Sequence, residues 1–94
     1  MLLVEHTNKF KKDFKLAKRR GKDLDLLRSI MKQIEREEPL APRFKDHPLI
    51  GNWHSHRELH IESDWLLIYQ LVPSEKTVIF TRTGTHSDLF NRKK

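Results

Sequence analysis

The stretch "RTGTHSDLF" (82–90) places an arginine and a histidine four residues apart, directly after an apolar β-branched run. At the end of a strand, Arg82 would present a planar fork of N–H groups that suits a phosphate. The imidazole of His86 titrates near neutral pH and would supply a proton donor beside that phosphate. The alternative is purely structural: a strand, a glycine turn and a last helical turn anchored by Leu89 and Phe90.

Histidine is frequent in this chain, with six residues in 94, five of them from residue 47 onward. If "HSHRELHIE" (54–62) is a strand, Leu59 and Ile61 point toward one face of its sheet. The opposite face then carries imidazoles and carboxylates: His54, His56, Glu58, His60 and Glu62. Three interpretations remain open for this face. It is a solvated surface, a zinc site without the ligand spacing of a known zinc motif, or a metal-free acid–base site.

Cleavage of RNA by its own 2′-hydroxyl would use such a set of groups. The reaction needs a base for that hydroxyl, an acid for the departing 5′-oxygen and cationic groups on the phosphate. His60 and Asp64 would share the base role across neighbouring strands, His86 would be the acid, and Arg82 would hold the phosphate. Two aromatic side chains are candidates for stacking on a splayed base, with a core position as the alternative for each: Trp65 and Phe90.

The formal charge of +6 is unevenly distributed. Residues 8–22 contain eight Lys/Arg and a single acid, Asp13. Such a segment attracts polyanions at long range, although a basic helix face is often only solvated. We therefore expect contact with ribosomal or other RNA through lysines of this segment, foremost Lys11, Lys15 and Lys18.

Length and composition limit the class of protein. Ninety-four residues predict one domain over 1–94. The absence of cysteine excludes a disulfide framework and thiolate metal ligation. No apolar run approaches the length of a membrane span, and the apolar start of the chain is too short for a signal peptide, so we expect a cytoplasmic protein.

The hydrophobic periodicity predicts an α+β fold. Residues 8–20 form a basic amphipathic helix, and a second helix begins at Asp23 and stops before the prolines of "EEPLAP". A short strand precedes this helical hairpin, and a loop over 39–53 follows it. Three further strands are predicted at 54–62, 65–72 and 76–83. The expected architecture is β-α-α-β-β-β with a C-terminal turn of helix, a small antiparallel sheet with the hairpin on one face.

Four segments together, "KDHPLIGNW", "RELHIESDWLLIY", "YQLV" and "RTGTHSDLF", resemble the YafQ-type branch of the RelE/ParE toxin superfamily. The resemblance covers essentially the whole chain. It implies a RelE-like microbial RNase fold and the toxin of a bacterial type II toxin–antitoxin pair. The implied activity is a ribosome-dependent mRNA endonuclease that cuts the codon in the A site, without metal or cofactor. The implied partners are an acidic antitoxin of ribbon-helix-helix type, the ribosome and its mRNA.

Motif by motif, the resemblance implies a catalytic set of His47, His60, Asp64, Arg82 and His86. It places Trp65 and Phe90 near the bound nucleotides. His54 and His56 are not part of the family pattern, and the basic tail 91–94 extends beyond the point where related chains often stop. The main rival is a ParE-like toxin that poisons DNA gyrase by binding alone, followed by a plain basic nucleic-acid-binding module.

Overall fold

The structure is a computed structural model, and it describes residues 1–90. The basic tail 91–94 lies outside the described residues. The helices and strands, in chain order, are β1 (Leu3–His6), α1 (Asn8–Arg19), α2 (Leu24–Glu35), β2 (His47–Pro48), β3 (Arg57–Glu62), β4 (Trp65–Val72), β5 (Thr77–Gly84) and α3 (His86–Phe90). Three short 3-10 turns lie between them, at Pro42–Phe44, Gly51–Trp53 and Pro73–Glu75. The predicted α+β class and element order are confirmed.

The five strands form one mixed sheet in the order β1-β5-β4-β3-β2. The meander β3-β4-β5 is antiparallel, as its short turns require, and β2 is antiparallel to β3. β1 instead runs parallel to β5. The prediction of a wholly antiparallel sheet was therefore wrong at this edge. The helical hairpin carries the chain across one face before the meander begins, so β1 is free of the antiparallel constraint that a tight turn imposes.

The helical hairpin forms where the sequence predicts it. Thr7 caps α1 by accepting a hydrogen bond from the backbone amide of Phe10 at 2.9 Å, and Asp23 caps α2 in the same way through Leu26 at 3.0 Å. Between the helices, Gly21 has a φ of 74°, a backbone conformation that favours glycine. The two helices pack against one face of the sheet.

Each face of the sheet has its own apolar cluster. The helix-side core includes the apolar residues of α1 and α2 together with Leu59 and Ile61, as their alternation predicts. The opposite face has a smaller cluster of Leu66, Ile68 and Leu89, covered by α3. Leu89 thus anchors the last helical turn, as the structural alternative for the C-terminal segment predicts. α3 covers only part of this second face; Leu49 and Trp53 also pack there, beside polar side chains.

The segment predicted as a loop over 39–53 contains the edge strand β2. This strand has two residues, and its register pairs His47 with Glu58. Two residues are too few to show an alternating pattern, so no strand could be predicted there from periodicity. None of the helices within residues 1–90 is long and apolar enough to cross a membrane.

Candidate active site

The sheet register gathers the polar residues on the face that α3 partly covers. His47 lies opposite Glu58, Glu58 opposite Ile68, and Ile68 opposite Arg82. Because residues paired across strands point to the same face, these four form one row across the sheet. In the next row, His60 lies opposite Leu66, which lies opposite Gly84. The register thereby brings three predicted site residues, His47, His60 and Arg82, to one surface.

A buried carboxylate lies between two of the imidazoles. Glu58 Oε1 is 3.1 Å from His47 Nε2 and 3.9 Å from His60 Nε2, and the Glu58 side chain is only 8% exposed. The other ring nitrogen of His47, Nδ1, donates to the carbonyl oxygen of Pro48 at 3.0 Å. A hydrogen bond between His47 Nε2 and Glu58 therefore needs a further proton, on the imidazole or on the carboxyl group. This pair is able to exchange a proton with a bound substrate.

His86 is held by Asp64 through two hydrogen bonds. Asp64 Oδ1 accepts the backbone amide of His86 at 2.9 Å and ring Nδ1 at 2.7 Å. These two bonds lower the pKa of Asp64, so the carboxylate stays ionised. With Nδ1 protonated and held, Nε2 of His86 is left for the substrate. The contact favours an orienting role for Asp64 over the shared base role predicted for it.

The three imidazoles form a line along this face. The ring centres of His47 and His60 are 6.4 Å apart, and those of His60 and His86 are 5.8 Å apart. One end of the line is held by Glu58 and the other by Asp64. A phosphodiester above the middle ring would therefore have proton-transfer groups on both sides.

Arg82 is fixed by an acid from α1. Its Nε and Nη2 donate to Asp13 at 2.7 and 3.1 Å, and Asp13 also accepts the backbone amide of Thr83 at 3.1 Å. These hydrogen bonds raise the pKa of the Arg82 guanidinium, and the side chain is only 21% exposed. One edge of the Arg82 guanidinium, the group predicted to bind a phosphate, is thus hydrogen-bonded to Asp13. This contact sets the direction of the remaining N–H groups.

α3 is anchored at its first turn by Asp88. The backbone amide of Thr85 donates to Asp88 at 2.9 Å and the Asp88 amide donates to the Thr85 hydroxyl at 3.1 Å, the reciprocal arrangement of a capping box. Arg20, after α1, adds an ion pair at 2.7 Å that lowers the pKa of Asp88 to about 2. A Cβ at Gly84 would lie 2.9 Å from the Asp88 carboxylate, so close approach, not a turn, requires glycine there.

The loop that presents His47 is fastened to the sheet by the preceding residue. Asp46 accepts a hydrogen bond of 2.6 Å from the hydroxyl of Tyr69 and bonds of 3.2 to 3.3 Å from Arg57. Tyr69 is 2% exposed, and this burial raises the pKa of its hydroxyl, which stays protonated as a donor. Because β2 has only two residues, this cluster of Asp46, Arg57 and Tyr69 fixes where His47 sits.

The remaining predicted residues lie around this set. Trp65 is 1% exposed and lies in the helix-side core, which argues against base stacking and favours its structural alternative. Phe90 is half-buried against Trp53, edge to face, at the border of the second face. The lysines proposed for RNA contact are exposed on α1: Lys11, Lys15 and Lys18. His54 is exposed, and the His56 ring packs edge to face against Trp53.

Three acids that hold the site were not predicted as part of it: Asp13, Asp46 and Glu58. Glu58 could have been predicted from the sequence, since it lies two residues from His60 on β3 and therefore points to the same face of the sheet. Asp13 was less evident in the sequence, where it stands out only as the single acid in a basic segment. Asp46 could not be predicted, because its partners are 11 and 23 residues away.

Comparisons with known proteins agree with this fold. The family model described as "Bacterial toxin of type II toxin-antitoxin system, YafQ" matches residues 2–91. The Escherichia coli K12 protein named "mRNA interferase toxin YafQ" is 44% identical over 88 residues, 93% of this chain and 94% of its own length.

Two solved structures superpose on nearly the entire chain. A metal-bound toxin from Helicobacter pylori is 44% identical, with a TM-score of 0.90, over 96% of this chain and 100% of its own. The toxin in the E. coli DinJ-YafQ complex is 43% identical, with a TM-score of 0.86, over 96% of this chain and 99% of its own.

The fold therefore defines a small bacterial toxin of the RelE-like class. Within that class, the chain belongs to the YafQ family of toxins from type II toxin–antitoxin systems.

Proposed function

We propose that this toxin is an mRNA endoribonuclease that acts on the ribosome, at the codon in the A site. The observation that carries the proposal is the line of His47, His60 and His86, held at one end by Glu58 and at the other by Asp64. The name of the E. coli relative, an mRNA interferase, points to the same substrate. Because ribosomes lie in the cytoplasm, the toxin acts there.

The reaction is transfer of the phosphodiester to the neighbouring 2′-oxygen. One of the two histidines beside Glu58, His47 or His60, accepts the proton of the 2′-hydroxyl. The 2′-oxygen then attacks phosphorus. The bond from phosphorus to the 5′-oxygen breaks, and His86 donates a proton to the leaving oxygen. The products are a 2′,3′-cyclic phosphate and a free 5′-hydroxyl. No step requires a metal ion, because both proton transfers are assigned to side chains.

Arg82 stabilises the charge that develops on the phosphate oxygens. Since Asp13 holds one edge of the guanidinium, the group is already oriented before substrate arrives, and no rotamer entropy is lost at the moment of reaction. Phe90, at the border of the same face, is positioned to pack against a neighbouring base.

Binding to the ribosome is assigned to α1. Lys11, Lys15 and Lys18 are exposed, and the helix carries them on a surface that the sheet does not cover. Contacts of this kind are electrostatic and release counterions, so they weaken steeply with salt.

A cognate antitoxin binds the toxin and keeps it inactive until the toxin is released. The E. coli toxin is seen in complex with DinJ. For this chain, the net charge of +6 and the exposed imidazoles favour an acidic partner, expected to be a ribbon-helix-helix protein with a tail that folds on binding.

The rival function is a gyrase poison that acts by binding. Binding to gyrase does not require a line of three imidazoles with a carboxylate at each end, so the geometry favours the nuclease. A translating extract separates the two. We expect new in-frame mRNA ends within codons and intact DNA. DNA breaks with intact mRNA would refute the nuclease and support the gyrase poison.

A further inference from the structure

A cleft of about 400 Å³ opens beside His60, at the edge of β3 that faces β2. The strand β2 pairs only with the first two residues of β3, so the second half of this edge has no neighbouring strand within the described residues. The segment before β2 lines the cleft with Arg43, Phe44 and Lys45. The cleft therefore adjoins the line of imidazoles at His60.

The side chains around the cleft carry a net positive charge. Arg43 and Lys45 are both exposed. The acid that lines the cleft, Glu62, lies 3.8 Å from the ammonium group of Lys22, and this pair has no net charge. The two cations before β2 therefore set the sign of the potential, which favours an anionic group such as a phosphate.

Lys45 is held in place by both of its neighbours along the chain. The Phe44 ring is buried in the helix-side core, and Asp46 accepts a hydrogen bond of 2.6 Å from the hydroxyl of Tyr69. The Arg43 guanidinium lies over the Phe44 ring, with its carbon Cζ 4.7 Å from the ring centre. The two cations thus extend from a fixed backbone, which lowers the ordering cost of binding.

The order of the strands sets the direction of an RNA strand across this face. In the order β5-β4-β3-β2, His86 comes from the β5 side, His60 lies on β3, and the cleft lies on the β2 side. In the proposed reaction, the 2′-hydroxyl lies beside His47 or His60 and the leaving 5′-oxygen lies beside His86. The RNA therefore runs 5′ to 3′ from the β2 side toward the β5 side. The phosphate that precedes the attacking nucleotide then falls at the cleft.

We propose that this cleft is a subsite for that preceding phosphate, with Lys45 as the main contact and Arg43 as the second. The direction of the RNA strand rests on the proposed nuclease function. Lys45 and Arg82 then hold the two phosphates that flank one nucleotide. Two fixed points align its 2′-hydroxyl with the scissile phosphate, which increases the rate of an intramolecular attack.

Phosphate binding is tested first, without reference to cleavage. The probes are two DNA dinucleotides, which lack the 2′-hydroxyl and do not react; one carries a 5′-phosphate and the other a 5′-hydroxyl. In NMR titrations of the whole wild-type protein, we expect the phosphorylated probe to bind about tenfold more tightly. The amide signals of residues 43–45 should move with this probe and not with the other. Equal binding of the two probes, or binding of neither, would overturn the subsite.

Lys45→Gly and Lys76→Gly form a matched pair of variants. Both lysines are exposed, and each ends a 3-10 turn that begins at a proline, with φ of 51° and 49°. Lys76 precedes β5, at the opposite end of that strand from Gly84. Glycine favours this backbone conformation, so both variants should keep their melting temperature, and each loses one charge.

The preference for the 5′-phosphate should disappear in Lys45→Gly and persist in Lys76→Gly. Lys45→Arg keeps the charge and should keep the preference. Loss of the preference in both glycine variants would assign it to net charge and overturn the subsite. The comparison of the two probes on the wild-type protein does not depend on the folding of any variant.

The consequence for cleavage is measured in single turnover on programmed ribosomes. An mRNA with a neutral methylphosphonate in place of the preceding phosphate should be cut about tenfold more slowly by the wild-type protein and by Lys76→Gly. Lys45→Gly should cut this mRNA and the natural one at the same reduced rate, because the contact is already lost. Equal slowing by the methylphosphonate in all three proteins, or in none, would contradict the role of Lys45. If the 5′-phosphate binds as expected and the wild-type protein cuts no mRNA, the nuclease function fails and the phosphate subsite stands.

Discussion

At the residue scale, the site depends on acids that hold bases and cations in place. Glu58 contacts His47 and His60, while Asp64 orients His86. Each predicted catalytic imidazole thus lies near a carboxylate, and hydrogen bonds to these carboxylates fix the directions of His47 and His86. The sequence allowed the imidazoles to be found because their type alone suggests proton transfer. Their partners are aspartate and glutamate residues, which are common in any sequence. Only the register of the strands shows which of these acids lie beside the imidazoles.

Glu58→Gln tests the acid that the sequence did not single out. The change keeps the shape of the side chain and removes a carboxyl group that can take up or release a proton beside His47 and His60. We expect single-turnover cleavage to fall by about 10²-fold or more, with ribosome binding unchanged. Glu62→Gln, on the same strand but 46% exposed, is the matched control and should cleave like the wild-type protein. Equal rates for the two variants would show that Glu58 is not part of the chemistry.

At the element scale, two short elements carry the site: β2 presents His47 and α3 presents His86. Neither has enough residues to be stable alone; Asp46 fastens β2, and Asp64 and Asp88 fasten α3. The long elements followed from periodicity and capping, with α1 and α2 within a residue or so of the prediction. β2 and the parallel pairing of β1 could not be predicted from periodicity, because both depend on contacts with residues far away in the chain.

Tyr69→Phe tests the attachment of β2. It removes the hydrogen bond to Asp46, and the loss should cost about 1–2 kcal/mol of unfolding free energy in urea. We also expect a shift of the His47 imidazole NMR signal and a slower cleavage step. Thr77→Val is the control, because it removes a hydrogen bond of a buried threonine, to Glu75, away from β2. If both variants lose stability but neither moves the His47 signal, Asp46 and Tyr69 do not position His47.

Asp88→Asn tests the attachment of α3 and has a defined pH dependence. The pKa of Asp88 is lowered from 3.8 to about 2, so its charge stabilises the folded state above pH 4 or so. We expect the variant to be less stable near neutral pH by about 1 kcal/mol. This difference should shrink as pH falls from about 4 toward about 2, where the wild-type carboxylate becomes protonated.

The measurement for Asp88 is urea unfolding across that pH range, for as long as both proteins fold. Asp25→Asn is the control, since Asp25 is 97% exposed in its pair with Arg28. A stability difference for Asp88→Asn that stays constant with pH would mean that the charge of Asp88 does not anchor α3.

At the scale of the whole molecule, the two faces of the sheet have separate tasks. The helix-side core holds the fold together, and the second face holds the imidazoles. The basic surface of α1 adds a third region, and Asp13 and Arg20 connect its helix to the site through Arg82 and Asp88. Composition predicted the basic surface, but the connection could not be foreseen, because it joins residues 68 and 69 positions apart.

Charge reversal of Lys11, Lys15 and Lys18 to glutamate tests the basic surface. Ribosome binding should weaken, and its dependence on salt concentration should become flatter, because fewer counterions are released. Reversal of Lys32, Arg36 and Lys76, which are also exposed, produces the same net charge and is the control. If both sets weaken binding equally, net charge alone drives it and α1 is only a solvated face.

In the proposed reaction His86 protonates the leaving 5′-oxygen, and the variant His86→Gln is the decisive test of this claim. His86 is 53% exposed, so the variant should fold and should still bind ribosome and antitoxin. Its single-turnover cleavage on programmed ribosomes should be about 10²–10⁴-fold slower than that of the wild-type protein. A substrate whose leaving 5′-oxygen is replaced by sulfur needs little protonation and should recover most of the lost rate. Cleavage of the natural mRNA at the wild-type rate, or no recovery with the sulfur substrate, would contradict the claim.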